Sequence, residues 1–223
     1  MEECTKYLCA KYGTNEQINK LLNLIKYIKD IPSQLLSKYY IRLYTIESQF
    51  YYDINKELRG NAKDKYLSSI KVLYESIKLK SLPLASNNIL YRGSLISDEE
   101  TKKIKEYLNK KIHDLPGAIV FTKTFFTFSK DKKIAEKYIK KENKDENLKK
   151  VLYILEKDDK IDYSLSTHSD IENISIYPYE KEVLFFPFSS FEIIKINDLD
   201  IGEEKGYEIE ILYLGKYLKD MGV

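Results

Sequence analysis

Three places in the sequence set polar groups inside otherwise apolar, strand-like runs, and each carries a chemically useful residue. Glu180 and Glu182 stand two apart just ahead of Val183-Leu184-Phe185-Phe186, and alternation along a strand puts both carboxylates on one face. Like charges side by side repel, so a purely structural strand has little reason to carry such a pair unless cations or a substrate lie opposite. Arg92 follows Leu90-Tyr91 and precedes Gly93. It puts a permanent positive charge at the end of a buried-looking strand. Thr127 and Ser129 alternate with Phe126 and Phe128, so the two hydroxyls share a strand face. Taken singly, each place also has an ordinary structural reading: two solvated acids at a strand start, a strand-end arginine paired with a surface acid, and a sheet edge running into a helix cap.

Other common chemistries are missing. The sequence contains no G-x-G-x-x-G, no G-x-x-x-x-G-K-[ST], no H-E-x-x-H and no paired C-x-x-C, so dinucleotide-fingerprint, P-loop and zinc readings have no motif to stand on. The two histidines, His113 and His168, adjoin no strained G-x-S-x-G turn and read as exposed loop residues. Cys4 and Cys9 cannot frame a chain of 223 residues, which fits a reducing compartment. With 37 basic against 35 acidic side chains and a net charge of +2, there is no overall electrostatic case for nucleic acid. The longest stretch free of charge runs only from 81 to 91, too short to span a bilayer. The first residues carry acids where a cleaved export signal needs bases.

The elements that must position these residues fall into two halves. Apolar spacing predicts helices over 16–29, over 33–58 as a single run, and over 64–79. After Pro83 the period changes. A short strand over 89–92 closed by Gly93 leads to a helix over 98–111 with Asp98 as its cap. An apolar run over 118–121 continues through 124–128, and Ser129 is placed to cap a helix over 131–141. The charged stretch 140–150 reads as a solvated helix end and loop. Strands are expected over 151–155, 182–188, 191–196 and 207–214, with a polar loop over 162–178. No 20–50-residue period repeats. Helices first and strands after make an α+β unit, with a helical lobe over 1–86 and a β-rich core over 87–223.

An arginine at a strand end, a hydroxyl strand leading into a helix, and E-x-E before an apolar strand together form the R-S-E signature of the mono-ADP-ribosyltransferases. The chain resembles the arginine-directed R-S-E-x-E branch of that family. The segment from Tyr44 through Asn55 to Leu58-Arg59 is similar to the helix ahead of the family's core, and Ser129 to Tyr138 to the helix after its S-T-S. The run from Glu180 through Glu182, Pro187 and Phe191 is similar to its closing hairpin, the most specific of the matches. One departure is that S-T-S reads Thr127-Phe128-Ser129. A threonine keeps the first hydroxyl and stiffens its rotamer.

The resemblance implies the family's fold: two packed, mostly antiparallel sheets with an N-terminal helical lobe, and NAD as cosubstrate in the cleft between them, with no metal. It carries NAD contacts to Arg92, Gly93, Thr127, Ser129 and Glu182, and catalytic roles to Glu182, Glu180, Arg92 and Thr127. In this scheme Arg92 holds the pyrophosphate, Thr127 with Ser129 orients Glu182, and Glu182 stabilises the ribosyl cation. Glu180 activates an incoming guanidinium, and loop 163–179 recognises the target, with Tyr177 and Tyr179 as stacking or merely packing residues. The implied protein is a monomeric toxin or effector, cytoplasmic or delivered into another cell. Its partner is a protein presenting an arginine, not nucleic acid or a membrane. Readings left open by the residues are NAD hydrolysis, a non-arginine acceptor, and an inactive NAD-site module for interactions.

Overall fold

The computed structural model describes residues 2–12, 14–27, 33–46, 48–60, 66–80, 89–109, 118–140, 145, 147–156, 168–202 and 204–214. His113, the Pro116-Gly117 pair and the start of the polar loop lie outside them. Five helices come first: α1 (Glu2–Tyr12), α2 (Glu16–Tyr27), α3 (Ser33–Thr45), α4 (Gln49–Arg59) and α5 (Leu67–Lys80). Their apolar stripes converge on one core in which Leu8, Ile18, Leu22, Ile41, Leu43, Ile54, Leu73 and Ile77 are fully buried. Each such side chain contributes about 1.5–3 kcal/mol relative to exposure. The single run expected over 33–58 is two helices. Ser48 takes an extended conformation (φ −123°, ψ 170°) ahead of α4. Apolar spacing does not register this break because Ile41, Tyr44, Ile46, Phe50 and Ile54 on both sides of it enter the same core. A polar cluster also ties the lobe together: Asp53 of α4 accepts from Tyr12 of α1 at 2.6 Å and from Tyr66, just ahead of α5, at 3.0 Å.

The second half supplies β1 (Leu90–Ser97), α6 (Asp98–Asn109), β2 (Ala118–Phe121), β3 (Phe126–Ser129), α7 (Lys132–Ile139), β4 (Leu148–Glu156), β5 (His168–Asp170), β6 (Glu182–Phe185), β7 (Ser190–Ile201) and β8 (Glu204–Tyr213). Hydrogen bonding runs through all eight strands in the order β2-β7-β8-β4-β1-β3-β6-β5. Every pairing is antiparallel except β4 with β8. The five strands from β2 to β1 and the three from β3 to β5 meet through one register pair, Tyr91 opposite Ser129. The two parts pack face to face around an aromatic interior: Phe185 lies 5.6 Å from Phe191 and 5.2 Å from Tyr213, and Phe128 lies 6.0 Å from Phe191. The order of elements and the packing of helices and strands make an α+β fold.

Strand β6 is shared between two cores. Val183 and Phe185 face the interior between the sheet layers, whereas Leu184 and Phe186 join the core of the helical lobe. Alternation alone produces this division.

Several boundaries differ from the sequence expectations. Helix α6 is capped by Ser97, not Asp98: the Ser97 hydroxyl accepts from the Glu100 N–H at 3.2 Å while the Glu100 carboxylate accepts from the Ser97 N–H at 3.1 Å, a reciprocal capping box. Likewise Asp131, not Ser129, caps α7 through the Lys133 N–H. The charged stretch runs into β4, where Lys150 is 4% exposed and paired with Glu204 at 2.8 Å. Within the polar loop, His168–Asp170 form the short β5, and His168 is fully buried with its ring 5.1 Å from Phe185. It is a core residue, not an exposed one. Among the described residues, no helix is long and apolar enough to cross a membrane.

Candidate active site

Arg92 reaches from β1 toward the edge of β3 that β1 leaves unpaired. Its Nη1 donates to the Thr127 carbonyl at 2.7 Å and to Thr127 Oγ1 at 3.0 Å, and its guanidinium carbon lies 4.1 Å from the centroid of the Phe126 ring. Stacking and two hydrogen bonds fix the plane of the fork. The Nε is buried and has no acceptor among the described residues, so the group retains donor capacity. A half-buried cation with an unspent donor suits an anionic ligand, and a pyrophosphate such as that of NAD fits that donor set.

The two acids are not placed by strand alternation. Glu180 ends a 3-10 turn, Pro178–Glu180, and Lys181 adopts a left-handed conformation (φ 48°, ψ 48°) before β6 begins at Glu182. A left-handed non-glycine residue costs free energy and is retained where the surroundings over-determine it. Here the surroundings are visible. The Lys181 carbonyl accepts from the Lys130 N–H at 3.1 Å, and Ser129 donates to the Glu180 carbonyl at 2.7 Å while accepting from the Asp131 N–H at 2.9 Å. Ser129 is thus a tie between the acid turn and the start of α7.

The carboxylates have donors that sequence reading did not single out. Tyr138 of α7 donates to Glu180 Oε1 at 3.1 Å. Ser175, 5% exposed, donates to Glu182 Oε2 at 2.9 Å and accepts from the Tyr177 N–H at 3.1 Å. The Thr127 hydroxyl, expected to orient Glu182, accepts from Arg92. Nothing in the local sequence marks Ser175 among the many polar residues of its loop, whereas Tyr138 could have been found from the helical spacing that turns it with Ile134 and Ala135 toward the strands.

All of the expected catalytic and NAD-contact residues line one cavity: Arg92, Gly93, Thr127, Ser129, Glu180 and Glu182, with Tyr138, Ile134 and Ala135 from α7 and Tyr44, Thr45 and Tyr51 from the helical lobe. Gly93 lets α7 close on β1, since a Cβ there would stand 2.2 Å from the Ala135 carbonyl oxygen. Tyr44 is buried, lies 5.1 Å from Tyr51 and exchanges a hydrogen bond with Asn55 at 3.1–3.2 Å. Burial first, then the neighbouring Tyr51, holds its phenol well above the usual range, so it stays neutral. Tyr179 is 59% exposed and Tyr177 sits 6.0 Å from it outside the lining. Among the described residues, no cluster of three His, Cys, Asp or Glu side chains could hold a metal.

A guanidinium, a hydroxyl and two carboxylates around one cavity can bind a phosphorylated nucleotide and stabilise positive charge beside it. No protein-family model matches the sequence, and no curated protein matches it. Solved structures do. The chain is similar to the ADP-ribosyltransferase Vis of Vibrio splendidus in complex with agmatine, with 17% identity, 96% of this chain and 86% of that chain covered, and a TM-score of 0.60. It is similar to the ADP-ribosyltransferase HopU1 of Pseudomonas syringae, with 15% identity, 90% and 84% covered, and a TM-score of 0.60. It is also similar to exoenzyme S of Pseudomonas aeruginosa, solved with 14-3-3 protein beta and carba-NAD, with 11% identity, 96% and 88% covered, and a TM-score of 0.58. Fold likeness over nearly the whole length, with the cavity built as described, gives the chain the ADP-ribosyltransferase fold.

Proposed function

We propose that this protein cleaves NAD at the bond between nicotinamide and ribose and transfers ADP-ribose to an arginine of a protein substrate. The observation that carries the reading is the convergence of Arg92, Thr127, Glu180 and Glu182, from separate segments of the chain, on one cavity. In this scheme Arg92 holds pyrophosphate oxygens with the donors left after its bonds to Thr127, and Gly93 keeps the strand thin beside α7. The bond between ribose C1 and the pyridinium nitrogen breaks, its electron pair neutralises the leaving nicotinamide, and the Glu182 carboxylate stabilises the cation left on the ribose. A guanidine nitrogen then bonds to C1 and loses a proton, with Glu180 orienting the acceptor and drawing on that proton. Free arginine, with a pKa above about 12, needs such help.

The solved Vis structure holds agmatine, whose free end is a guanidinium, and exoenzyme S holds an NAD analogue; both support the substrate pair proposed here. The acting form is a monomeric toxin or effector working on a protein partner in the cytoplasm of its own or another cell. Labelled NAD incubated with the protein and a cell lysate tests this. Label on protein, located on arginine by mass spectrometry of the modified peptide, supports the reading. Free ADP-ribose alone makes the protein an NAD hydrolase, and neither product removes NAD chemistry altogether.

A further inference from the structure

Resting on the NAD-cleavage reading, we propose that Ser175 is the positioning residue for Glu182, and that the loop over 171–177 aims the carboxylate that the reaction uses. The Ser175 hydroxyl donates to Glu182 Oε2 at 2.9 Å. Its own place is fixed four ways. It is 5% exposed, its N–H bonds to the Ile171 carbonyl at 2.7 Å, its oxygen accepts from the Tyr177 N–H, and the next N–H, that of Ile176, bonds to Thr45 Oγ1 of α3 at 3.1 Å. Ile171 in turn bonds through its N–H to the Glu182 carbonyl at 3.0 Å. The loop therefore grips Glu182 at both backbone and carboxylate while being held by the helical lobe.

The physical reason lies in the strand hydroxyl. Thr127 Oγ1 accepts from Arg92, and its position is set by the guanidinium. A donor to the carboxylate from the loop leaves Thr127 to Arg92 and fixes the carboxylate plane independently. An O–H donor to one carboxylate oxygen favours the charged form of a carboxyl over the neutral one, and Ser175 is placed to be that donor for Glu182. Among the described residues, the charged and titratable groups that line the same cavity with Glu182 are Arg92 and Tyr91 from β1, Glu180 from the turn, Tyr44 from α3, Tyr51 from α4 and Tyr138 from α7. Ser175→Thr keeps all of these groups and the hydroxyl as well, so a shift of the acid limb seen in Ser175→Ala and absent in Ser175→Thr is assigned to the lost hydroxyl.

The test uses Ser175→Ala and Ser175→Thr in the full chain. Two readouts are taken: nicotinamide release from NAD across pH, and the Glu182 carboxyl titration by NMR with labelled glutamate, the resonance identified by its loss in Glu182→Gln. In Ser175→Ala, kcat should fall by roughly tenfold to a hundredfold, the effect of losing one hydrogen bond to a charged group. The KM for NAD should hold, and both the acid limb of kcat and the Glu182 titration should move to higher pH. Ser175→Thr, which keeps the hydroxyl, should hold both near wild type. An unmoved Glu182 titration in Ser175→Ala, or the same loss in Ser175→Thr as in Ser175→Ala, overturns the proposal even where the wild type cleaves NAD. A wild type that releases no nicotinamide overturns the cleavage reading and the proposal with it, and the NMR titration then shows the hydrogen bond to be structural only.

Discussion

Tyr138 of helix α7 donates its phenolic proton to Glu180 Oε1 at 3.1 Å, across 42 residues of chain. The acid one turn ahead of β6 is therefore held from the helix that Gly93 seats, not from its own strand. If Glu180 handles the acceptor, Tyr138→Phe should lower protein labelling by roughly tenfold, in line with one hydrogen bond to a charged group. Hydrolysis of NAD in the absence of acceptor should change little. Measuring both products from one reaction checks the split.

The two acids should separate by function. Glu182→Gln is expected to remove transfer and hydrolysis together, by a factor of about 10² to 10³ or more, because an amide cannot stabilise the ribosyl cation as a carboxylate does. Glu180→Gln should lose protein modification while retaining much of the hydrolysis, since water needs less activation than a guanidinium. Steady-state rates with and without acceptor protein distinguish the two outcomes. Equal loss of both activities in Glu180→Gln would remove its special role.

Arg92→Lys keeps the charge but gives up the stack on Phe126 and the two bonds to Thr127. NAD affinity should weaken by roughly tenfold or more, while the far-ultraviolet circular dichroism stays that of the native fold. Titration of NAD by calorimetry reads the change directly, and unaltered affinity would take Arg92 out of the site.

Gly93→Ala places a methyl carbon where only 2.2 Å separates it from the Ala135 carbonyl oxygen. Helix α7 must move away from β1, at a cost of about 1–3 kcal/mol. Thermal unfolding should report that loss, and because Tyr138 rides on α7, protein labelling should fall further than stability alone explains.

A pH dependence is expected from a group outside the cavity lining. Burial acts to raise the Asp53 carboxyl, but donors from Lys11, Tyr12, Gln49 and Tyr66 outweigh it and hold the group well below the usual carboxylate range. A group depressed in this way contributes stability above its unfolded pKa of about 3.9, and the contribution fades as pH falls through that value toward the folded one. Asp53→Asn should therefore cost about 1–3 kcal/mol at pH 7, with the gap to wild type narrowing below about pH 4. Urea unfolding at pH 7 and pH 3 measures both ends.

Much of the site was legible in residue types. Arg92, Thr127, Ser129 and Glu182 converge because β1, β3 and β6 are adjacent in the sheet, with Glu180 on the turn that enters β6, and the apolar runs around them predicted those strands. The geometry of the acids was not legible, since a two-residue spacing suggests alternation and a left-handed Lys181 leaves no mark on composition. Ser175 was hidden for a related reason: its partner is seven residues away around a turn, a contact set by loop closure and not by any period. The break between α3 and α4 escaped because both helices feed one core. His168 escaped because a three-residue edge strand, His168–Asp170, offers too few positions for alternation to show.

The division of β6 between two cores acts as a counter for the residues that follow Glu182. Each position from Val183 to Phe186 is checked against a different wall, one made by the helical lobe and the other by the opposing layer of the sheet. A slip by one residue would drive Leu184 toward the aromatic interior and Phe185 toward the helices, and would rotate the carboxylate out of the cavity at the same time. An inserted or deleted residue in this strand is therefore penalised twice over, whereas exchange of one apolar side chain for another of similar volume is penalised little. The depth of the Glu182 carboxylate is in this way set by the count of residues in the strand and not by which apolar letters fill it.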